Sequence, residues 1–386
     1  MTYNREIGQH TASRTTQSLA GRATARRGAA AERPAPEKIS RVLLGLAAAL
    51  VLLAAAPAAA FAAGGGEAEP EVAFSIAVFV PGVVEGSPTY EMLVAGVEAA
   101  ADEREDVAVR VIEGGFNQAE WSDGLTSLSA SGEYDLIVSS NPSLPEIAAE
   151  VAEGFPDQRF LILDGYGDNH PGMATVLFNQ REQAFLNGYF AGLVTTHPEL
   201  EHAREDRRVG LLAGQEYPIM NEVIRPGFAL GAQTVDADIE VDFRVLGNWY
   251  DAGTANELAG SMIDRGADVI LTIAGGGNQG VIAAAKERGG YVLWFDSSGY
   301  DQEPGVVLGS SIIRLDTIAY ERTLQAIDGE LSFGVSEVVG VREGYVDFDT
   351  EHSQYERHVP ADIRAEIDDL LERMRTGELE LEMPRL

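Results

Sequence analysis

The chain has 386 residues, with 28 Lys/Arg against 61 Asp/Glu and no cysteine. That length gives room for two domains. The missing cysteine excludes a disulfide scaffold, a Cys-based metal site and attachment through a lipidated cysteine. A net charge of −33 repels nucleic acid and anionic lipid, so neither is expected as a partner.

Residues 1–41 carry eight of the bases and three of the acids, and no charge follows from Val42 to Gly66. A basic start, an apolar run and a small-residue exit at Ala60-Phe61-Ala62 predict an export signal over 1–62, or an N-terminal anchor if it is kept. The remainder is then exported, in the periplasm or on the outer face of the cytoplasmic membrane. It keeps 20 Lys/Arg against 58 Asp/Glu, a net charge of −38, and its one lysine is Lys286. Such a surface suits high salt, where ions screen self-repulsion, and codon bias is the alternative source.

From residue 73 the chain alternates. "AFSIAVFV", "VAVRVI", "YDLIVSS", "RFLILD" and "ATVLF" are short β-branched or aromatic runs. Helical patterns such as "YEMLVAGVEAAADE" and "LPEIAAEVAEGF" lie between several of them. "REQAFLNGYFAGLVTTH" then predicts a helical crossing, and a second series follows: "RVGLLAG", "IEVDFRVL", "ADVILTIA", "YVLWFD" and "GVVLGSSI". Apolar strands separated by helices predict parallel sheets covered on both faces. The fold class is therefore α/β.

The series repeat one another. Residues 134–166 can be laid on 267–300, each a strand opened by Asp (Asp135, Asp268), a turn, an Ala-rich helix and a strand ending in Asp (Asp164, Asp296). The Asp-to-Asp intervals are 29 and 28 residues. Two similar doubly wound lobes follow, the first over about 70–179 with about 313–340, the second over 180–312 with about 341–386. Strand C-terminal ends are where open α/β sheets bind ligands, so facing lobes would line one cleft with both sets.

In the turn after the first strand, "GVVEGSPTYEMLVAG", Pro88 can open a helix, Ser87 can cap it, and the helix N-terminus can offer main-chain donors to a ligand. Tyr90 would project from the first helical turn.

"LFNQREQAFLNGYFAGLVT", "RPGFALGAQ", "GADVILTIAGGGNQGVIAAAKERGGYVLWFDSS" and "VVLGSSIIRLD" resemble the basic membrane protein family of ABC-transporter substrate-binding proteins. The purine nucleoside receptor is its best-known branch. The resemblance covers roughly 72–380 and implies a type I periplasmic-binding-protein fold, two lobes joined by a hinge, closure on a small ligand, and ABC permease subunits as partners. By the same resemblance Asn141, Asp164, Asp296, the glycine loop around Gly275 and Gly276, and Trp249 are candidate ligand contacts, with Tyr90 beside them. Each has a plainer reading: a helix cap for the acids, a simple turn for the glycines, core packing for Trp249 and for Trp121. The opening turn lacks the acid of the nucleoside branch, and Ile313, followed by Arg314, stands where that branch has a lysine. "PGVVEGSPTYEMLVAG" and "GGFNQAEW" look more like the riboflavin-binding branch.

The residue types suit a flat heterocycle bearing hydroxyls, because an aromatic wall stacks on the ring and carboxylates accept from adjacent hydroxyls. Riboflavin is the leading expectation, with a purine nucleoside or a sensor feeding a signalling partner as alternatives. Two acids in one cleft also suit glycoside cleavage. However, the six histidines have no metal-ligand spacing and no G-x-S-x-G occurs, so neither catalysis nor a cofactor is expected.

Overall fold

The computed structural model describes residues 72–384. The segment 1–62, expected to be a signal or anchor, lies outside the described residues. Among the described residues no helix is long and apolar enough to cross a membrane.

Unbroken apolar runs become strands, and the patterns between them become helices. The first series is β1 (Phe74–Val80), α1 (Pro88–Ala101), β2 (Val107–Glu113), α2 (Gln118–Ser131), β3 (Leu136–Ser140), α3 (Leu144–Gly154), β4 (Arg159–Leu163) and β5 (Met173–Phe178). Helix α4 (Gln180–Thr196) follows directly. The second series is β6 (Arg208–Ala213), α5 (Arg225–Val235), β7 (Glu240–Val245), α6 (Ala252–Asp264), β8 (Ala267–Ile273), α7 (Asn278–Arg288), β9 (Tyr291–Trp294) and β10 (Val307–Ile313). The chain closes with α8 (Leu315–Ile327), β11 (Val335–Val339), β12 (Val346–Phe348), α9 (Ser353–His358) and α10 (Ala361–Arg375).

One sheet has the order β11-β5-β4-β3-β1-β2 and the other β12-β10-β9-β8-β6-β7. Every pair is parallel except β10 with β12. Helices cover both faces, so the central strands lose nearly all contact with water; Ile76, Val78, Leu136, Val209, Leu211 and Val269 are fully buried. The edge strand β7 is only half-buried, and there the apolar run is broken by Glu240, Asp242 and Arg244. Helix α8 packs on α1 of the first sheet, whereas α9 and α10 pack on β10 and α4.

Three passages join the sheets: β5 into α4, β10 into α8, and β11 into β12. They are bonded together where they meet. Asn179 N donates to Val339 O at 2.7 Å, and Arg314 N donates to Tyr345 O at 2.9 Å. The buried Glu182 carboxylate accepts from Val341 N at 2.8 Å. Residue 340 is glycine because a Cβ there would overlap that carboxylate.

Candidate ligand-binding site

Strands β4 and β9 are matching members of the two sheets, and each runs out into an aspartate. Asp164 and Asp296 have φ of 49° and 71°, the left-handed region that Asp tolerates better than most residues. The kink turns each carboxylate out of its strand. Neither accepts a backbone N–H among the described residues, so neither caps a helix there. Asp164 Oδ1 accepts from Gln180 Nε2 at 3.0 Å, and Asp296 Oδ1 accepts from Gln183 Nε2 at 3.0 Å.

Both carboxyls keep a solvent-facing edge but are mostly enclosed by protein. Burial, followed by the negative charge of Asp296, pushes Asp164 up to about 8 against the opposing bond from Gln180. Burial pushes Asp296 up to about 6 against the bond from Gln183. The two acids come from different sheets, and the charge of Asp296 acts on Asp164, which places them near one another. No arginine or lysine among the described residues offsets them. Ile313 is buried in β10, and the Arg314 guanidinium turns away to Asp347 at 3.1 Å.

Two tyrosines complete the floor. Tyr90, on the first turn of α1, donates its hydroxyl to Pro81 O at 3.2 Å. Burial raises its pKa most, the Asn141 amide opposes the rise and the Asp164 charge adds to it, so these three groups are neighbours. Asn141 directly follows β3, and its Oδ1 accepts from Ser143 N at 2.9 Å. Tyr217 lies in the turn after β6. Burial, then Asp296, then Asp164 raise its pKa, so it stands beside both acids. Its ring centroid is 6.3 Å from that of Trp249 at an interplanar angle of 48°. Trp249 is 40 % exposed and lies over Gly214, where a Cβ would strike its ring.

The aromatic turns are duplicated. Gly115 N donates to Gly82 O at 3.0 Å, and Gly247 N to Gly214 O at 2.8 Å. These matched bonds place Phe116 over Gly82 and Trp249 over Gly214. Phe116 is 74 % exposed and Tyr250, beside Trp249, is 79 % exposed.

The structure thus places Tyr90, Asn141, Asp164, Asp296 and Trp249 at the C-terminal ends of the parallel strands, and adds Tyr217, Gln180, Gln183 and Phe116. Gly275 and Gly276 are next to Trp249 as well, but Gly276 N donates to Trp249 O at 2.9 Å and Gly277 N to Ala274 O at 3.0 Å. Two amides of the glycine loop are therefore spent on the fold. The turn before α1 also closes on itself. Ser87 holds the cap position without a side-chain bond, and the N–H groups of Ser87, Tyr90 and Glu91 are bonded within the turn. In the first turn of α1, the Thr89 N–H has no partner among the described residues. Trp121 is a core residue, 7 % exposed, with its indole N–H on Gly115 O at 2.8 Å. Two further concavities, of about 260 and 740 Å³, hold none of these strand-end residues.

A family model described as "ABC transporter substrate-binding protein PnrA-like" matches residues 73–380. The chain belongs to that family. It is 23% identical over 281 residues to the CD4+ T-cell-stimulating antigen of Listeria monocytogenes, covering 69% of this chain and 74% of that one. It is 24% identical over 260 residues to the ABC transporter nucleoside-binding protein BmpA of Lactococcus lactis, covering 62% and 71%. Among solved structures, an ABC transporter solute-binding protein from Aeropyrum pernix matches with a TM-score of 0.71 at 22% identity, over 81% of this chain and 94% of that one. The fold is thus the type I periplasmic-binding fold, and the family is one of proteins that carry a substrate rather than transform it.

Proposed function

We propose that this chain captures a neutral, flat heterocycle bearing a polyol or sugar and delivers it to the permease subunits of an ABC importer, outside the cytoplasmic membrane. The observation that carries the reading is the facing pair Asp164 and Asp296, one from each sheet, bordered by Tyr90, Tyr217 and Trp249 and offset by no cation among the described residues. Hydroxyl hydrogens satisfy such a pair, while a phosphate would meet two acids and no counter-charge. The aromatic walls suit the ring. The bodies that close on the ligand are 70–179 with about 313–340, and 180–312 with about 341–386. Asn141, with the backbone around Gly275 and Gly276, frames the ligand between them.

Riboflavin is the leading ligand, on the composition of the turn before α1. A purine nucleoside is the second reading, favoured by the name of the Lactococcus relative. Calorimetry on the stripped protein with riboflavin, inosine and guanosine separates them. Riboflavin tighter by tenfold, about 1.4 kcal/mol, is the expected outcome. A submicromolar nucleoside without riboflavin heat replaces it with the second reading, and no heat from any of the three overturns the ligand class.

A further inference from the structure

Helix α4 is buried on almost all sides, and in such a helix a polar side chain must find partners or destabilise the fold. Gln180 and Gln183 lie three residues apart, hence on one face. Each spends its amide on one aspartate, Gln180 on the acid of the first sheet and Gln183 on the acid of the second, both at 3.0 Å. Gln183 is fully buried, and its carbonyl Oε1 has no partner among the described residues. A residue kept only for packing would be apolar here, because a half-satisfied amide costs more than it returns. One turn further along, Asn187 ties the same helix to β9 by donating to Trp294 O at 3.3 Å. The helix is therefore a fixed ruler against the second sheet, with its first residue reaching the first.

The consequence concerns the other oxygens. Oδ1 of both acids is occupied, and Oδ2 of both accepts nothing among the described residues. We propose that Gln180 and Gln183 are specificity-determining positioning residues: they leave one oxygen of each acid open at a fixed separation and so select ligands with hydroxyls on adjacent carbons. This rests on the polyol reading above. The groups facing Asp296 are Asp164, Tyr217 and Gln183, and those facing Asp164 are Asp296, Tyr90, Tyr217 and Gln180. Gln183 holds the Asp296 pKa down, so its loss also moves a titration.

The test is calorimetry of wild type, Gln183→Met and Gln180→Met with inosine against 2′-deoxyinosine and riboflavin against lumiflavin, which lacks the polyol, from pH 5 to 9. In wild type the hydroxyl-bearing partner of a pair binds at least tenfold tighter. In each variant that preference falls at least tenfold, and in Gln183→Met the loss of affinity on acidification begins at higher pH. Gln180 is 8 % exposed and less enclosed, so its variant carries the test if Gln183→Met does not fold. A folded variant with wild-type preference and pH profile overturns the role of the glutamines and leaves the polyol reading standing. A wild type without preference for hydroxyls overturns both.

Discussion

Asp164 and Asp296 are costly to keep charged, and this fixes the sign of their effect on stability. A carboxyl whose pKa rises on folding binds its proton more tightly in the folded state. Its contribution to stability is present below the unfolded value and is lost as pH climbs through the folded one. With Asp164 moving from 3.8 to about 8 and Asp296 from 3.8 to about 6, the unliganded protein should lose melting temperature between about pH 4 and 8. Asp164→Asn should flatten that slope and raise stability at pH 8 by about 1–3 kcal/mol, the ordinary cost of a polar group left unsatisfied. Asp296→Ala should weaken ligand binding by about 1.5–3 kcal/mol, the range for a bond to a charged group. Thermal melts across pH with calorimetry on the same variants check both. An Asp296→Ala protein that melts far lower yet binds with wild-type affinity would make the residue structural. These positions were readable because the interval between matching aspartates repeats. Their glutamine partners were not. A helix buried all round has no amphipathic period, so nothing in "NQREQAFLNG" marks which polar residue points where.

At the level of elements, the turn between β1 and α1 shows how capping depends on neighbours. Ser87 is the residue type that caps, and it occupies the cap position, yet its hydroxyl makes no cap bond. Gly86 N instead donates to Glu91 Oε1 at 2.9 Å and Val84 N to Glu113 Oε1 at 2.8 Å, so two glutamates hold the loop. Ser87→Ala should therefore change stability by less than about 0.5 kcal/mol. Asn117→Ala removes a side chain that does accept, from Ala119 N, and should cost about 1 kcal/mol. Denaturant unfolding of the two variants distinguishes the cases, and equal costs would mean the hydroxyl caps in solution. The strands were legible in the sequence for a simpler reason: a parallel strand buried on both faces must be a continuous apolar run. The glycine loop was legible only as a close approach, because glycine does not say what approaches. Here that neighbour is the Trp249 carbonyl. Tyr217 went unmarked because it stands four residues past the end of β6, just before a helical turn that begins at residue 218, whereas Tyr90 stands ten residues past the end of β1, so the two tyrosines do not align.

Across the whole molecule the dominant property is charge. Residues 63–386 carry −38, and the ion pairs that relieve it are mostly exposed, such as Arg104–Asp328 at 2.6 Å and Arg342–Glu380 at 3.2 Å. Exposed pairs contribute little, so the net repulsion remains. Adding sodium chloride from millimolar to molar should raise the melting temperature steadily, and a flat profile would leave codon bias as the source of the acidity.

The order of the strands also sets a lever. The passages between sheets leave from β5 and β10, and the acids follow β4 and β9, the very next strands. Phe116 and Trp249 follow β2 and β7, four strands from β5 and β10. With strands about 4.8 Å apart, the acids sit about 5 Å from the pivot side of each sheet and the aromatic turns about 19 Å from it. A given rotation of one lobe therefore sweeps the aromatic rims through roughly four times the arc of the carboxylates. In the proposed closure the acids would be the near-stationary jaw root and the rings the moving tips. If the proposed reading holds, the hydroxyl end of a ligand would be held before closure begins, and the grip on its ring would be made last and, on delivery, released first.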